Sequence, residues 1–161
     1  MLTFLSFQKQ FEASRPLEDA AIAKALEHFN KTSPDKPYRI IRRPDKTNYR
    51  VYKYDAEISN DDQTIKIEAK ADLRSAETGN FFVEYYAYGK PSGISITDAD
   101  YYVIDDAVDL YMITVTKLNR IIQRYDEVGK LKHVEFKSPD GLITKGYLLK
   151  KAVVAKFATK L

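Results

Sequence analysis

The chain has 161 residues, 44% of them hydrophobic and 30% charged, with a formal net charge of +3 and no cysteine. That length suits one domain with a sizeable core, and the composition excludes a disordered chain. The absence of cysteine excludes disulfides and thiolate zinc sites and points to a reducing compartment, while two histidines, His28 and His133, leave little scope for a histidine-built metal site. No apolar run approaches a membrane span, and the opening MLTFLSFQKQF is too short and polar for a signal peptide, so a cytoplasmic protein is expected.

Charge is unevenly placed. Residues 1–50 hold ten Lys/Arg against six Asp/Glu and residues 128–161 eight against two, whereas residues 51–109 hold five against thirteen. An acidic centre between basic flanks suits a site that holds cations in its middle and phosphodiesters around its edge. Lysine-rich surface also serves solubility alone.

Residues 1–11, with Leu2, Phe4, Leu5, Phe7 and Phe11, read as a strand or irregular segment. Ser14 fits an N-cap with Pro16 in the first turn, and Leu17, Ala21, Ile22, Ala25, Leu26 and Phe29 predict a helix over about 15–30. Glu18 in its first turn either complements the helix dipole or aims a carboxylate at a metal edge of the sheet. Residues 31–50 hold three prolines and seven Lys/Arg and predict a loop with a short extended piece. Arg42 and Arg43 there either contact a nucleic-acid backbone or simply flank a strand.

Residues 52–72, YKYDAEISNDDQTIKIEAKAD, predict two alternating strands joined by Asn60, Asp61, Asp62 and Gln63. With Ser59 opposite Thr64, Glu57 faces Lys66, Asp55 faces Glu68 and Lys53 faces Lys70. Opposed carboxylates repel, and a divalent cation held by them and by waters would relieve the repulsion. A solvated sheet face explains the same charges.

Residues 73–80 predict a polar connection, and FFVEYYAY a third strand whose lone acid, Glu84, needs a cation, a lysine or water, and is a possible accessory metal residue. The loop GKPSGIS, residues 89–95, lets a ligand approach the backbone, with Lys90 and Ser92 as candidate nucleic-acid contacts; turn geometry alone also explains its glycines. Thr97 to Asp100 resembles a capping box on a short helical turn. YYVI at 101–104 predicts a buried fourth strand. Val115 to Tyr125 predicts an amphipathic helix, closed by Gly129, with Lys117, Arg120 and Arg124 on a basic face that either tracks phosphates or is merely solvated. Residues 134–149 predict a hairpin turning at Ser138-Pro139-Asp140-Gly141.

An acidic helix residue, then Asp on one strand and Glu-x-Lys on the next, here Glu18, Asp55 and Glu68-Ala69-Lys70, resembles the PD-(D/E)xK nuclease superfamily over roughly residues 12–125. TGNFFVEYYAYGKPSGI with TDADYYV is similar to a pattern in small phage and bacterial proteins assigned to that superfamily, some of them similar to Holliday junction resolvases. Tyr54 stands where the pattern has proline. The resemblance implies a magnesium site, with manganese able to substitute, on Asp55, Glu68 and the Ala69 backbone carbonyl. Lys70 would position the attacking water and Glu18 complete the acidic shell. It also implies an α/β fold, a restriction-endonuclease-like mixed sheet flanked by helices in one domain over 1–161. The expected activity is metal-dependent endonucleolytic cleavage of branched or structured DNA by a homodimer, in a bacterial or phage-infected cell. A DNA-binding protein without catalysis is the alternative.

Overall fold

The computed structural model describes the backbone of residues 4–44 and 51–161 and the side chains of residues 15–44 and 51–161. Leu2 and the last residues of the basic loop, 45–50, fall outside it. A mixed α/β arrangement holds two sheets, one of six strands and one of four, with four helices.

Helix α1, Phe4–Thr32, begins earlier than the sequence reading places it, and Pro16 lies inside it rather than in its first turn. Phe4, Phe7 and Phe11 recur at i, i+3 and i+7, a helical spacing, so the segment expected as a strand or irregular piece is the first part of this helix. Pro16 forfeits one backbone bond there. Ala21, Ile22, Ala25 and Phe29 are the buried stripe.

The six-stranded sheet runs β1 (Arg39–Arg42), β2 (Ala56–Ser59), β3 (Thr64–Ala71), β6 (Tyr101–Asp105), β7 (Leu110–Thr114) and β10 (Thr159–Lys160). The first three strands form an antiparallel meander; β6 then lies parallel to β3 with Glu68 beside Tyr102 and Lys70 beside Ile104. Alpha-helix α1 covers one face through Ala56, Ile58, Ile65, Ile67, Ala69, Val103 and Met112.

The second sheet, β5 (Lys90–Pro91), β4 (Asn80–Ala87), β9 (Ile143–Lys150) and β8 (Lys132–Lys137), is antiparallel. The segment FFVEYYAY therefore leaves the central sheet, where a single mixed sheet was expected. Its two apolar faces explain why: Phe81 and Val83 enter a second core with Tyr102, Ile104, Tyr111 and Ile113 of the large sheet, while Phe82 packs on Phe136 on the other side. Helix α3, Val115–Glu127, seals this core with Leu118 and Ile121 and is N-capped by Thr114. The one-turn helix α2, Ser75–Thr78, lies in the 73–80 connection. Helix α4, Lys151–Phe157, adds Val154.

No helical turn forms at Thr97 to Asp100. Thr97 Oγ1 instead donates to the Lys53 carbonyl at 3.0 Å, and Asp100 Oδ2 accepts the Lys66 N–H at 2.8 Å, so both side chains tie a loop to the central hairpin. Among the described residues no helix is long and apolar enough to cross a membrane.

Candidate functional site

The turn that sets the hairpin is built by one side chain. Asn60 Oδ1 accepts the N–H groups of Asp62 and Gln63, at 3.0 and 2.9 Å, and the Asn60 N–H closes onto the Gln63 carbonyl. Ser59 then faces Thr64 and Glu57 faces Lys66, the register read from the sequence.

The ladder ends at Ala56, and Asp55 takes over in a different way. Its N–H donates to the Ile67 carbonyl at 2.9 Å while its Oδ2 accepts the Ala69 N–H at 2.8 Å, so it straddles Glu68. Because N–H and C=O of one strand residue leave on the same edge, the Ala69 carbonyl points toward Asp55, past the end of β2. Lys53 does not face Lys70. Its carbonyl accepts from the Asp98 N–H and from Thr97, drawing the chain away toward the 92–98 loop.

Glu68 is completely buried, so of the two readings open for its sheet position the solvated face does not apply to it. Tyr102 beside it on β6 and the second sheet above account for this. Lys70 Nζ lies 2.7 Å from Glu68 Oε1, while Oε2 has no hydrogen-bond partner among the described residues. Burial pushes the Glu68 carboxyl up to about 7; Lys70 pulls it down, while Asp55 and Glu18 raise it further through their charges. Burial alone would lower the Lys70 ammonium, but Glu68, Tyr102 and Asp55 outweigh that and hold its pKa well above the ordinary value. The Lys70 side chain is one-third exposed and so reaches from the buried carboxylate to solvent.

Glu18 sits one turn before Ala21 and Ile22 on the same stripe of α1, half-buried, and its charge is felt at Glu68. The structure thus brings Asp55, Glu68 and Lys70 together, with Glu18 near enough for its charge to act on Glu68. Glu84 is not brought there: on β4 it pairs with Gly146 of β9 and lies on the face opposite Phe81 and Val83, which point into the core shared with Tyr102. Glu84 therefore faces away from Glu68, and it leaves the metal shell.

The basic candidates differ in availability. Arg42 is held by Glu57 and Tyr54, and Arg43 pairs with Asp19. Lys117 and Arg120 are exposed on α3, and Arg124 lies 3.7 Å from Glu127. Lys90 is exposed on β5, and Ser92 begins the tight turn Gly93–Ser95, whose neighbour Thr97 anchors on Lys53 beside Asp55.

Sequence reasoning missed the network around Glu57. That carboxylate is nearly buried and accepts from the Tyr54 hydroxyl at 2.6 Å and from Arg42 Nη1 at 2.8 Å. Tyr54 leaves the alternation expected of it because the ladder has ended. The spacing Tyr54-x-x-Glu57 gives no signal of this in a strand reading.

Two carboxylates and a carbonyl form an all-oxygen donor set, and Glu68 Oε2, without a hydrogen-bond partner among the described residues, supplies a buried acceptor of the kind a hard cation requires. Among the described residues no group of three or more His, Cys, Asp or Glu is placed to hold a metal, so water and phosphate oxygens would have to fill most positions. Comparison with protein-family models, curated proteins and solved structures finds no match to this chain.

Proposed function

We propose that this chain is a magnesium-dependent endodeoxyribonuclease of the PD-(D/E)xK type, with manganese able to substitute, acting on branched or structured DNA. The observation that carries the reading is the fully buried Glu68 carboxylate, ion-paired through Oε1 to Lys70 at 2.7 Å, with no partner for Oε2 among the described residues and with Asp55 beside it. Burying a carboxylate with a single ion-pair partner is costly, and groups perturbed in this way cluster at functional sites. The order helix, antiparallel meander, then parallel strand supports the restriction-endonuclease-like form of the fold.

Asp55, Glu68 and the Ala69 carbonyl would hold the cation, which supplies charge neutralisation at the phosphate and lowers the pKa of water. Asp55 is fixed for that task by the Ala69 N–H. Lys70, kept protonated by Glu68, orients the attacking water and offsets charge on the phosphate oxygens. Glu18 adds negative potential that favours cation binding. Cutting both strands of a junction takes two such sites, which calls for a homodimer.

A second reading, DNA binding without catalysis, is favoured by the absence of a three-donor acidic cluster among the described residues. Incubating the full chain with junction, flap and linear DNA, in magnesium or in chelator, separates the two. Cleavage only in magnesium supports the nuclease, and binding with no cleavage of any substrate selects the second reading.

A further inference from the structure

On the face of the large sheet that carries Glu68 and Lys70, register places Lys66, then Glu57 on β2, then Arg42 on β1. A register shift between Ile40 and Arg42 marks an irregularity on the edge strand, a device that re-aims side chains. Arg42 is gripped on one side only. Its Nη1 donates to Glu57 Oε2 at 2.8 Å and to the Tyr54 hydroxyl at 3.1 Å, and its guanidinium lies over the Tyr52 ring, 4.7 Å from the centroid. Tyr52 is in turn packed edge-on against Tyr54 at 5.8 Å.

No described residue accepts from Nη2 or Nε, and 44% of the Arg42 side chain is exposed. A guanidinium stacked on an aromatic ring and held through one nitrogen by a carboxylate and a phenol hydroxyl has lost much of its rotamer freedom before any ligand arrives. Its remaining donors match the oxygens of a phosphate. Strands lie about 4.8 Å apart and residues about 3.4 Å, so Arg42 stands about 10 Å across the sheet from β3 and about 7 Å along it from the level of Glu68. One oligonucleotide strand can touch both.

We propose that Arg42, held by Glu57, Tyr54 and Tyr52, is a phosphate clamp that grips the DNA backbone beside the bond at Asp55 and Glu68. The inference rests on the nucleic-acid part of the proposed function. It assigns Arg42 a positioning role, and Glu57 the task of aiming it.

The test is binding of fluorescently labelled junction and duplex DNA in chelator, followed across a salt series, with cleavage in magnesium measured separately. Arg42→Ala combined with Glu57→Gln avoids leaving a buried carboxylate without its partner. This double variant should keep its unfolding midpoint within a few degrees of the parent, bind about five- to tenfold more weakly, and lose about one from the slope of log K against log salt. Arg42→Lys keeps the charge, so the slope should stay while affinity is only partly retained. Parental affinity and slope in the folded double variant would overturn the clamp and leave Arg42 a neutraliser of Glu57. A parent that binds no DNA would overturn both proposals. Salt-dependent binding without cleavage, lost in the double variant, would sink the nuclease and leave the clamp standing.

Discussion

Lys70 Nζ lies 2.7 Å from Oε1 of Glu68, and the two are separated by a single residue on β3. The carboxylate is wholly buried and the ammonium reaches out to solvent. Asp55 accepts the N–H of the intervening Ala69, so the three side chains meet at one point on β3, where the proposed chemistry would lie.

Replacing these groups one at a time separates chemistry from folding. Asp55→Asn, Glu68→Gln and Lys70→Ala should each lower single-turnover cleavage by about a hundredfold or more, with circular dichroism spectra like the parent's. Undiminished cutting in all three would place the active site elsewhere.

Glu68 also sets a pH dependence. Its folded pKa is raised from 4.5 to about 7, so between those values the native state holds a proton that the unfolded chain has released. Stability of the metal-free protein should therefore fall as pH rises from about 5 to 8 and level off above. Urea midpoints across that range check the sign. Glu68→Gln should remove this component and exceed the parent in stability at pH 8; a midpoint that rises with pH equally in both would contradict it.

A second buried pair has the opposite sign. Asp106 accepts the N–H groups of Val108 and Asp109 and pairs with Lys151, while Asp109 meets Lys160 at 2.5 Å. Burial raises the Asp106 carboxyl, but Lys151 and the two amides outweigh it and leave the pKa below its ordinary value. That contribution is present above the unfolded value and is lost as pH falls through the lowered one. Lys151→Ala should destabilise by about 3 kcal/mol in denaturant titration, because it strands a buried carboxylate.

Gly93 holds the loop beside the site through a close approach. It has φ +50°, and a Cβ there would stand 2.3 Å from the Glu84 carbonyl oxygen. Gly93→Ala should cost about 2 kcal/mol, read as a fall in the urea midpoint.

The hairpin was legible because local chemistry sets it: Asn60 makes the turn, and alternation on both strands allows one register. The approach of Asp55 to Glu68 follows from that register, but the burial of Glu68 does not. That burial depends on Tyr102, thirty-four residues further on, and on a second sheet that the two-sided apolar run 81–88 does not announce. Strand β7 went unread because its apolar run LYMIT passes straight into the α3 stripe with no turn residue between them. The C-terminal lysines looked like a basic tail, yet Lys151 and Lys160 are spoken for by Asp106 and Asp109, an arrangement visible only once α4 and β10 dock on the large sheet.

Cation binding at Asp55 and Glu68 underlies the proposed chemistry, and anomalous scattering from crystals soaked in manganese reads it at those two side chains. The predicted result is a peak in contact with both carboxylates and absent from Glu68→Gln crystals. Saturating manganese with no peak there, or a peak that survives that substitution unchanged, would contradict it.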